Sequence, residues 1–260
     1  MTKKYISRLM FVVCALLCIL LAGCAQTAVS TADNKAEDEA AAADVSASDA
    51  AADEQLPDYA GKTTLTYIGH ASVKIVAKDG SVLYIDPHYY AGDYSDAADC
   101  VCVTHCHDDH KPHEDVVLKP DGTLILYNEA LHDGIYETYD CGSFKVEAVP
   151  AGGNVNHNIN SCVGYIVTVD GVTVYHAGDT SMIEQMNDLA ERELDYAMFP
   201  IDGKANMNAK AATEVAAIVG AKHNIPIHEM DDYGKPKKSE KFTPEGKLVL
   251  EYGETIVISE

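Results

Sequence analysis

The sequence of 260 residues predicts an α/β fold in which two sheets pack face to face with a few helices outside them. Three observations point that way. Eleven short β-rich runs are spread over residues 63–259, whereas only two segments carry helical periodicity. No internal repeat interrupts this order. Ligand-type side chains also fall just after the apolar runs rather than inside them, the pattern of a scaffold that collects a site at its strand ends.

In chain order the runs begin with "TTLTYIG", "SVKIVA" and "SVLYID", with a turn at Asp79-Gly80. "CVCVT", "TLILY" and "FKVEAV" follow. "SCVGYIVTV" and "VTVYHAG" meet at Asp170-Gly171, a strong hairpin signal. "DYAMFPI", "NIPIH" and "TIVIS" complete the set. One helical face is predicted from Ile183, Met186, Leu189 and Ala190. A second comes from Ala211, Ala212, Val215, Ala216 and Val219.

Before these elements, Lys3, Lys4 and Arg8 lead into an apolar run from Leu9 to Leu21, followed by Gly23-Cys24. A basic start and a short apolar stretch make a secretory signal over residues 1–23 rather than a membrane span. Leu21-Ala22-Gly23-Cys24 resembles the lipobox of bacterial lipoproteins, which implies cleavage before Cys24 and a lipid on its sulfur. Residues 24–57 then hold that cysteine and a tether of Ala, Asp, Glu, Ser and Thr, too polar to form a core. As a flexible coil the tether would span about 30 Å.

Residues 58–260 form one domain by size, with 33 acidic and 15 basic side chains, a net charge of −18. Such a surface repels nucleic acid. The expected partners are a small-molecule substrate and, through Cys24, a bacterial membrane; the expected location is extracytoplasmic. Cys100, Cys102, Cys106, Cys141 and Cys162 are an odd set without repeated spacing, read mainly as buried free thiols. One bridge among them stays open.

"THCHDDHK" is the most informative stretch, with three histidines and two aspartates between His105 and His110. Unpaired, these groups would repel and lose solvation. A cation removes both penalties. His105 and His107 can grip one ion from an extended turn, while Asp109 and His110 face a second. His157, in "PAGGNVNHNIN", can complete the first set, and His228 the second. Asp179 of "HAGDT" has a carboxylate able to bridge both. Imidazole with carboxylate suits two divalent ions, zinc first, with manganese or iron as the other candidates.

"THCHDDH", His157, "HAGDT" and "PIH" resemble the metallo-β-lactamase superfamily in the order and spacing of its metal motifs. "YIGHAS", "LYIDP" and "DYAMFPIDG" are similar to the small single-domain branch around bacterial ascorbate-phosphate lactonase and uncharacterised metal-dependent hydrolases. The resemblance runs from about Thr64 to His228. It implies an αββα sandwich of two mixed sheets with outer helices. It also implies metal one on His105, His107 and His157, metal two on Asp109, His110 and His228, and Asp179 between them. A second histidine, His107, where oxygen-reducing relatives carry an acid, argues for hydrolysis. "NEALHDG" shortens the segment after "TLILY", so part of the usual helix is expected to be missing there.

On the same resemblance Asp86 accepts from the free N–H of a ligand imidazole, and Pro87 stops its strand. His70 either supports the site and its substrate or is a hydrogen-bonded core histidine. His176 alternates away from Asp179 and is expected to be structural. His88, His113, His132 and His223 are read as surface residues. Tyr89, Tyr90 and Tyr94 either rim a pocket over the site or pack. Gly152, Gly153 and Gly178 look like positions needing backbone freedom beside ligands. Two close cations would generate hydroxide at neutral pH, with Asp109 as the catalytic residue that orients it and collects its proton. The expected activity is hydrolysis of a lactone, ester or phosphodiester. A non-catalytic metal- or ligand-binding lipoprotein with the same fold is the alternative.

Overall fold

Each of the eleven β-rich runs overlaps a strand, and three further strands of two to four residues join them in the computed structural model, which describes residues 58–229 and 238–258. The signal, the lipobox and the tether lie outside the described residues. In order the strands are β1 (Thr64–Gly69), β2 (Ser72–Val76), β3 (Val82–Ile85), β4 (Ala98–Cys102) and β5 (Leu118–Ile125). They continue with β6 (Leu131–His132), β7 (Ile135–Tyr136), β8 (Thr138–Cys141), β9 (Phe144–Pro150), β10 (Val163–Val169) and β11 (Val172–His176). The last are β12 (Tyr196–Pro200), β13 (His223–Ile227) and β14 (Glu254–Val257). Helices α1 (Tyr127–Ala130) and α2 (Ala209–Val219) are the α-helices among the described residues.

The strands make two six-stranded mixed sheets, ordered β14-β1-β2-β3-β4-β5 and β13-β12-β11-β10-β9-β8. β3, β4 and β5 run parallel, as do β11, β12 and β13; the remaining pairs in both sheets are antiparallel. The two inner faces meet in one core. Leu65, Tyr67, Val73, Ile75, Leu83 and Ile85 of the first sheet pack with Val146, Val163, Tyr165, Val167, Val174 and Ile225 of the second. This is the period-2 alternation of a sheet buried on its inner face. At the β10–β11 turn, Asp170 (φ 51°) and Gly171 (φ 87°) are both left-handed, as a two-residue turn of the primed type requires. The Asp170 carboxylate accepts from Thr63 Oγ1 (2.6 Å) and Lys78 N (2.8 Å), tying this hairpin to the opposite sheet.

Helix α2 buries Ala209, Ala212, Val215, Ala216 and Val219 against Tyr175, Ala197 and Phe199 on the outer face of the second sheet. Asn208 caps it by accepting from Lys210 N and Ala211 N, and Gly220 (φ 70°) ends it in a left-handed cap. The other predicted helical face is a 3₁₀ segment, Glu184–Leu189, in which Met186 and Leu189 are buried and Ala190 is exposed. A spacing of three fits a 3₁₀ turn as well as an α-helix. "NEALHDG" gives only the single turn α1 followed by the β6–β7 hairpin, the shortening expected there.

The outer face of the first sheet has a different cover. Ile68, Val82, Tyr84 and Val101 pack against Tyr94, which is 3% exposed, on the loop that follows Pro87. Tyr89 lines a cavity of about 330 Å³ with Thr66, Lys74, Gly92 and Tyr252, on this same outer face. None of the predicted metal ligands borders it. Cys100, Cys102, Cys141 and Cys162 are buried and free, and Cys106 is exposed and free. Cys100 and Cys102 do point the same way, into the core, with sulfurs 3.9 Å apart. Among the described residues no helix is long and apolar enough to cross a membrane.

If Tyr94 replaces a helix as the cover of the first sheet, Tyr94→Ala lowers unfolding stability by about 3 kcal/mol or more, as large-to-small core changes do. Tyr90→Ala, at a side chain 59% exposed, stays within about 0.5 kcal/mol. Denaturant unfolding of both variants checks this; equal, small losses would show that the loop is not part of the core.

Candidate metal centre

The predicted ligands arrive from four chain segments, all at one end of the two sheets' strands. His105, Asp109 and His110 follow β4. His157 lies in the β9–β10 connection, Asp179 follows β11, and His228 follows β13 directly. Asp86 follows β3, and His70 sits in the β1–β2 turn. Three of these residues hold left-handed backbones uncommon for side chains with a Cβ: His70 (φ 56°), Asp86 (φ 45°) and His228 (φ 50°). Each such position costs on the order of 1–3 kcal/mol unless its surroundings enforce it. One enforcing contact is local: His228 N donates to His70 O at 2.8 Å, and the two rings lie 3.8 Å apart. Gly178 (φ 61°) sets the Asp179 loop, where a Cβ would come within 2.7 Å of Val163 O. Gly152 (φ 94°) does the same for the His157 loop, against His157 O at 2.8 Å.

The side chains form two clusters. In the first, His107 Nδ1 lies 3.0 Å from His105 Nε2 and 3.2 Å from His157 Nε2. In the second, Asp109 Oδ2 lies 3.1 Å from His70 Nε2, 3.8 Å from His228 Nε2 and 3.9 Å from His110 Nε2. His70 therefore lies with the second cluster, through its contact with Asp109. The Asp179 carboxylate stands between them. Its Oδ2 is 3.2 Å from His157 Nε2 and 3.3 Å from His228 Nε2, and its Oδ1 is 3.5 Å from His110 Nε2. His105, His110, His157, Asp179 and His228 are buried, whereas His107 and Asp109 are exposed to the open side. Cys106, between two of the histidines, is exposed and belongs to neither cluster.

These groups suit a cation. His110 Nε2, Asp179 Oδ1 and His228 Nε2 are buried without a hydrogen-bond partner, and all three are aimed at the space between the clusters' side chains. The charges agree. Burial alone would raise the Asp179 carboxyl, but the imidazoles of His228 and His110 hold it well below the usual range. Burial likewise opposes ionisation of Asp109, which contacts with His228 and His70 keep ionised. Burial would lower His228, yet Asp179, Asp109 and Asp202 lift it well above an ordinary histidine. Burial pushes His105 down to about 3, helped by His110, so this ring is a neutral donor of its lone pair. Protons on His110 and His228 would balance the carboxylates, and divalent ions on the same nitrogens would do so better.

Outside the clusters, one buried carboxylate carries two rings. Asp86 Oδ2 accepts from His110 Nδ1 at 2.7 Å and from Thr104 Oγ1 at 2.7 Å, while Oδ1 accepts from Thr104 N at 2.8 Å. Thr104 Oγ1 is in turn 3.0 Å from His105 Nδ1. The expected role of Asp86 thus extends through Thr104 to a second histidine. His176 is structural, as alternation suggests: its Nε2 donates to Ala71 O (2.9 Å) and its Nδ1 accepts from Gly178 N (3.1 Å).

Sequence reasoning missed Asp202 and the carbonyl of Ala205. Asp202 Oδ2 lies 3.0 Å from His228 Nδ1, an ion-pair contact without the angle of a hydrogen bond. Ala205 O accepts from His157 Nδ1 at 3.2 Å. A signal for Asp202 existed: it follows the run "DYAMFPI" just as Asp86 follows "SVLYI". Ala205 acts through its backbone, which no side-chain pattern marks.

Comparison with known proteins agrees with this geometry. Residues 64–228 match the family model described as a Beta-lactamase superfamily domain. A UPF0173 metal-dependent hydrolase of Pyrococcus furiosus is 30% identical over 189 residues, covering 63% of this chain and 83% of the relative. Another, from Methanoregula boonei, is 34% identical over 181 residues, covering 63% and 81%. A metallo hydrolase of Ignicoccus hospitalis superposes with a TM-score of 0.61 over 76% of this chain and 99% of that one; at 20% identity, that likeness concerns the fold. With its matched segment beginning at the first strand and ending on His228, the chain belongs to the metallo-β-lactamase superfamily, among the UPF0173 metal-dependent hydrolases.

Proposed function

We propose that this metal-dependent hydrolase uses two divalent ions to cleave a lactone, ester or phosphodiester. Asp179 carries the reading: one buried carboxylate reaches a ring of the first cluster and two of the second within 3.5 Å. His105, His107 and His157 would hold the first ion and Asp109, His110 and His228 the second, with Asp179 within reach of both sets. Zinc suits the nitrogen-rich first set, with manganese or iron the other candidates for the second, where carboxylate enters. When bound, such a pair acidifies water and polarises the oxygen of the bond under attack.

The chain's own groups do the rest. Asp109, half exposed on the open side, faces incoming water and accepts its proton while His70 Nε2, 3.1 Å away, fixes the carboxylate. The rings of His105, His110 and His157 are buried, whereas His107 and Asp109 face the open side. Cys106 does not enter the cluster, so no thiol nucleophile is required. A strongly negative surface favours small substrates over polyanions. The basic start, apolar run and Leu21-Ala22-Gly23-Cys24 support export and lipid anchoring at the outer face of a bacterial membrane.

Two outcomes are expected. Asp179→Asn removes charge from both ions, so it lowers metal content and abolishes turnover. Asp86→Asn acts through His110 and Thr104 and weakens metal binding or activity about 10–100-fold, with turnover recovered at raised metal concentration. Metal titration and rates on one lactone or bis-nitrophenyl phosphate decide it. Full metal content with a near-normal rate in Asp179→Asn would end the two-ion assignment.

Cys24→Ser is expected to move the protein from the membrane to the soluble fraction without loss of activity in vitro. Retention in the membrane fraction would refute the lipid anchor.

A further inference from the structure

We infer that the turn from Asp202 to Met207 is a shared strut that positions one histidine of each metal cluster, with Asp202 as its positioning residue. The inference rests on the two-ion reading above and goes beyond it.

Asp202 stands at the end of β12 and is 6% exposed. Its two oxygens do different work. Oδ1 accepts from the backbone N–H groups of Lys204 (2.5 Å), Ala205 (3.0 Å) and Asn206 (3.3 Å), which winds the chain into a tight turn. Oδ2 accepts from Asn206 Nδ2 at 2.7 Å and faces His228 Nδ1 at 3.0 Å. The turn presents Ala205 O, which accepts from His157 Nδ1 at 3.2 Å and from Asn154 Nδ2 at 3.0 Å. Asn154 Oδ1 in turn accepts from His157 N at 2.9 Å, so ring and backbone of His157 are fixed from the same place.

The strut also touches the loop of the shared carboxylate. Met207 N donates to Thr180 O at 3.1 Å, one residue past Asp179, and Gly203 N donates to Met207 O at 3.0 Å to close the turn. Lys238 Nζ donates to Asp202 O at 2.5 Å from the far side. Three ligand loops, those of His157, Asp179 and His228, thus rest on six consecutive residues. Each ring's far nitrogen is held on the strut side, which leaves Nε2 of both rings facing the centre. Outer partners of this kind set ring orientation and ligand basicity.

The two oxygens can be separated by substitution. Asp202→Ser keeps an acceptor short enough for the turn's N–H groups but cannot reach His228 Nδ1. Asp202→Ala removes both. Zinc binding to the full chain, read by competition with a chromogenic chelator, and the visible spectrum of the cobalt(II)-loaded protein report the sites without turnover. Wild type is expected to take up two equivalents; fewer would count against the two-ion reading itself. In Asp202→Ser one of the two equivalents weakens about 10–100-fold and the other is unchanged. In Asp202→Ala both weaken and the cobalt spectrum of both changes.

If Asp202→Ala leaves either equivalent at wild-type affinity, or if Asp202→Ser weakens both equally, the shared strut is refuted. Should Asp202→Ala fail to fold, Asp202→Ser still decides: two unchanged affinities overturn the proposal.

Discussion

The buried Asp179 carboxylate, 3.2–3.5 Å from three imidazole nitrogens, is the constraint that the rest of the site accommodates. A carboxylate taken out of water at this depth is tolerable only when positive charge sits beside it. The chain supplies neutral or protonated rings from three loops and orders them so that their free nitrogens point at the same space. Left-handed backbones at His70, Asp86 and His228 are part of that arrangement. The strain they store is offset by the sandwich core, which fixes the strand ends from which the loops depart.

The outer contacts have a two-fold logic. Asp86 carries His110 directly and His105 through Thr104; Asp202 carries His228 directly and His157 through Ala205. Each carboxylate stands at the end of a strand, and each serves one ring from either cluster. Four of the five histidines named as ligands are thereby oriented before any ion arrives; His107, the exposed one, is the exception. An open, less constrained ring on the solvent side is compatible with entry of ion and substrate from that side.

Much of this was legible from residue order, because its signals are local. His-x-His-x-Asp-His is contiguous, and strand alternation alone puts Cys100 and Cys102 on one face and His176 away from Asp179. The hairpin at Asp170-Gly171 follows from dihedral demands on two residues. What residue order does not carry is non-local. Of the two alternatives for Tyr94, packing holds, and it closes the outer face of the first sheet from a loop, through contacts that an apolar period does not encode. Strands β6, β7 and β8 are too short or too polar to read. The apolar positions Ile183, Met186 and Leu189 fit a period of three as well as 3.6, so their pattern does not separate a 3₁₀ segment from an α-helix. Asp202 and Ala205 matter only because β12 and β13 run side by side, which brings "FPID" and "IPIH" together.

Two ions sharing Asp179 would be seen directly by anomalous diffraction at the metal absorption edge from crystals of the loaded protein. Two peaks about 3.5–4 Å apart are expected, one among His105, His107 and His157 and one among Asp109, His110 and His228, with an Asp179 oxygen bound to each. A single peak, or two peaks of which one is out of reach of Asp179, would contradict the two-ion assignment.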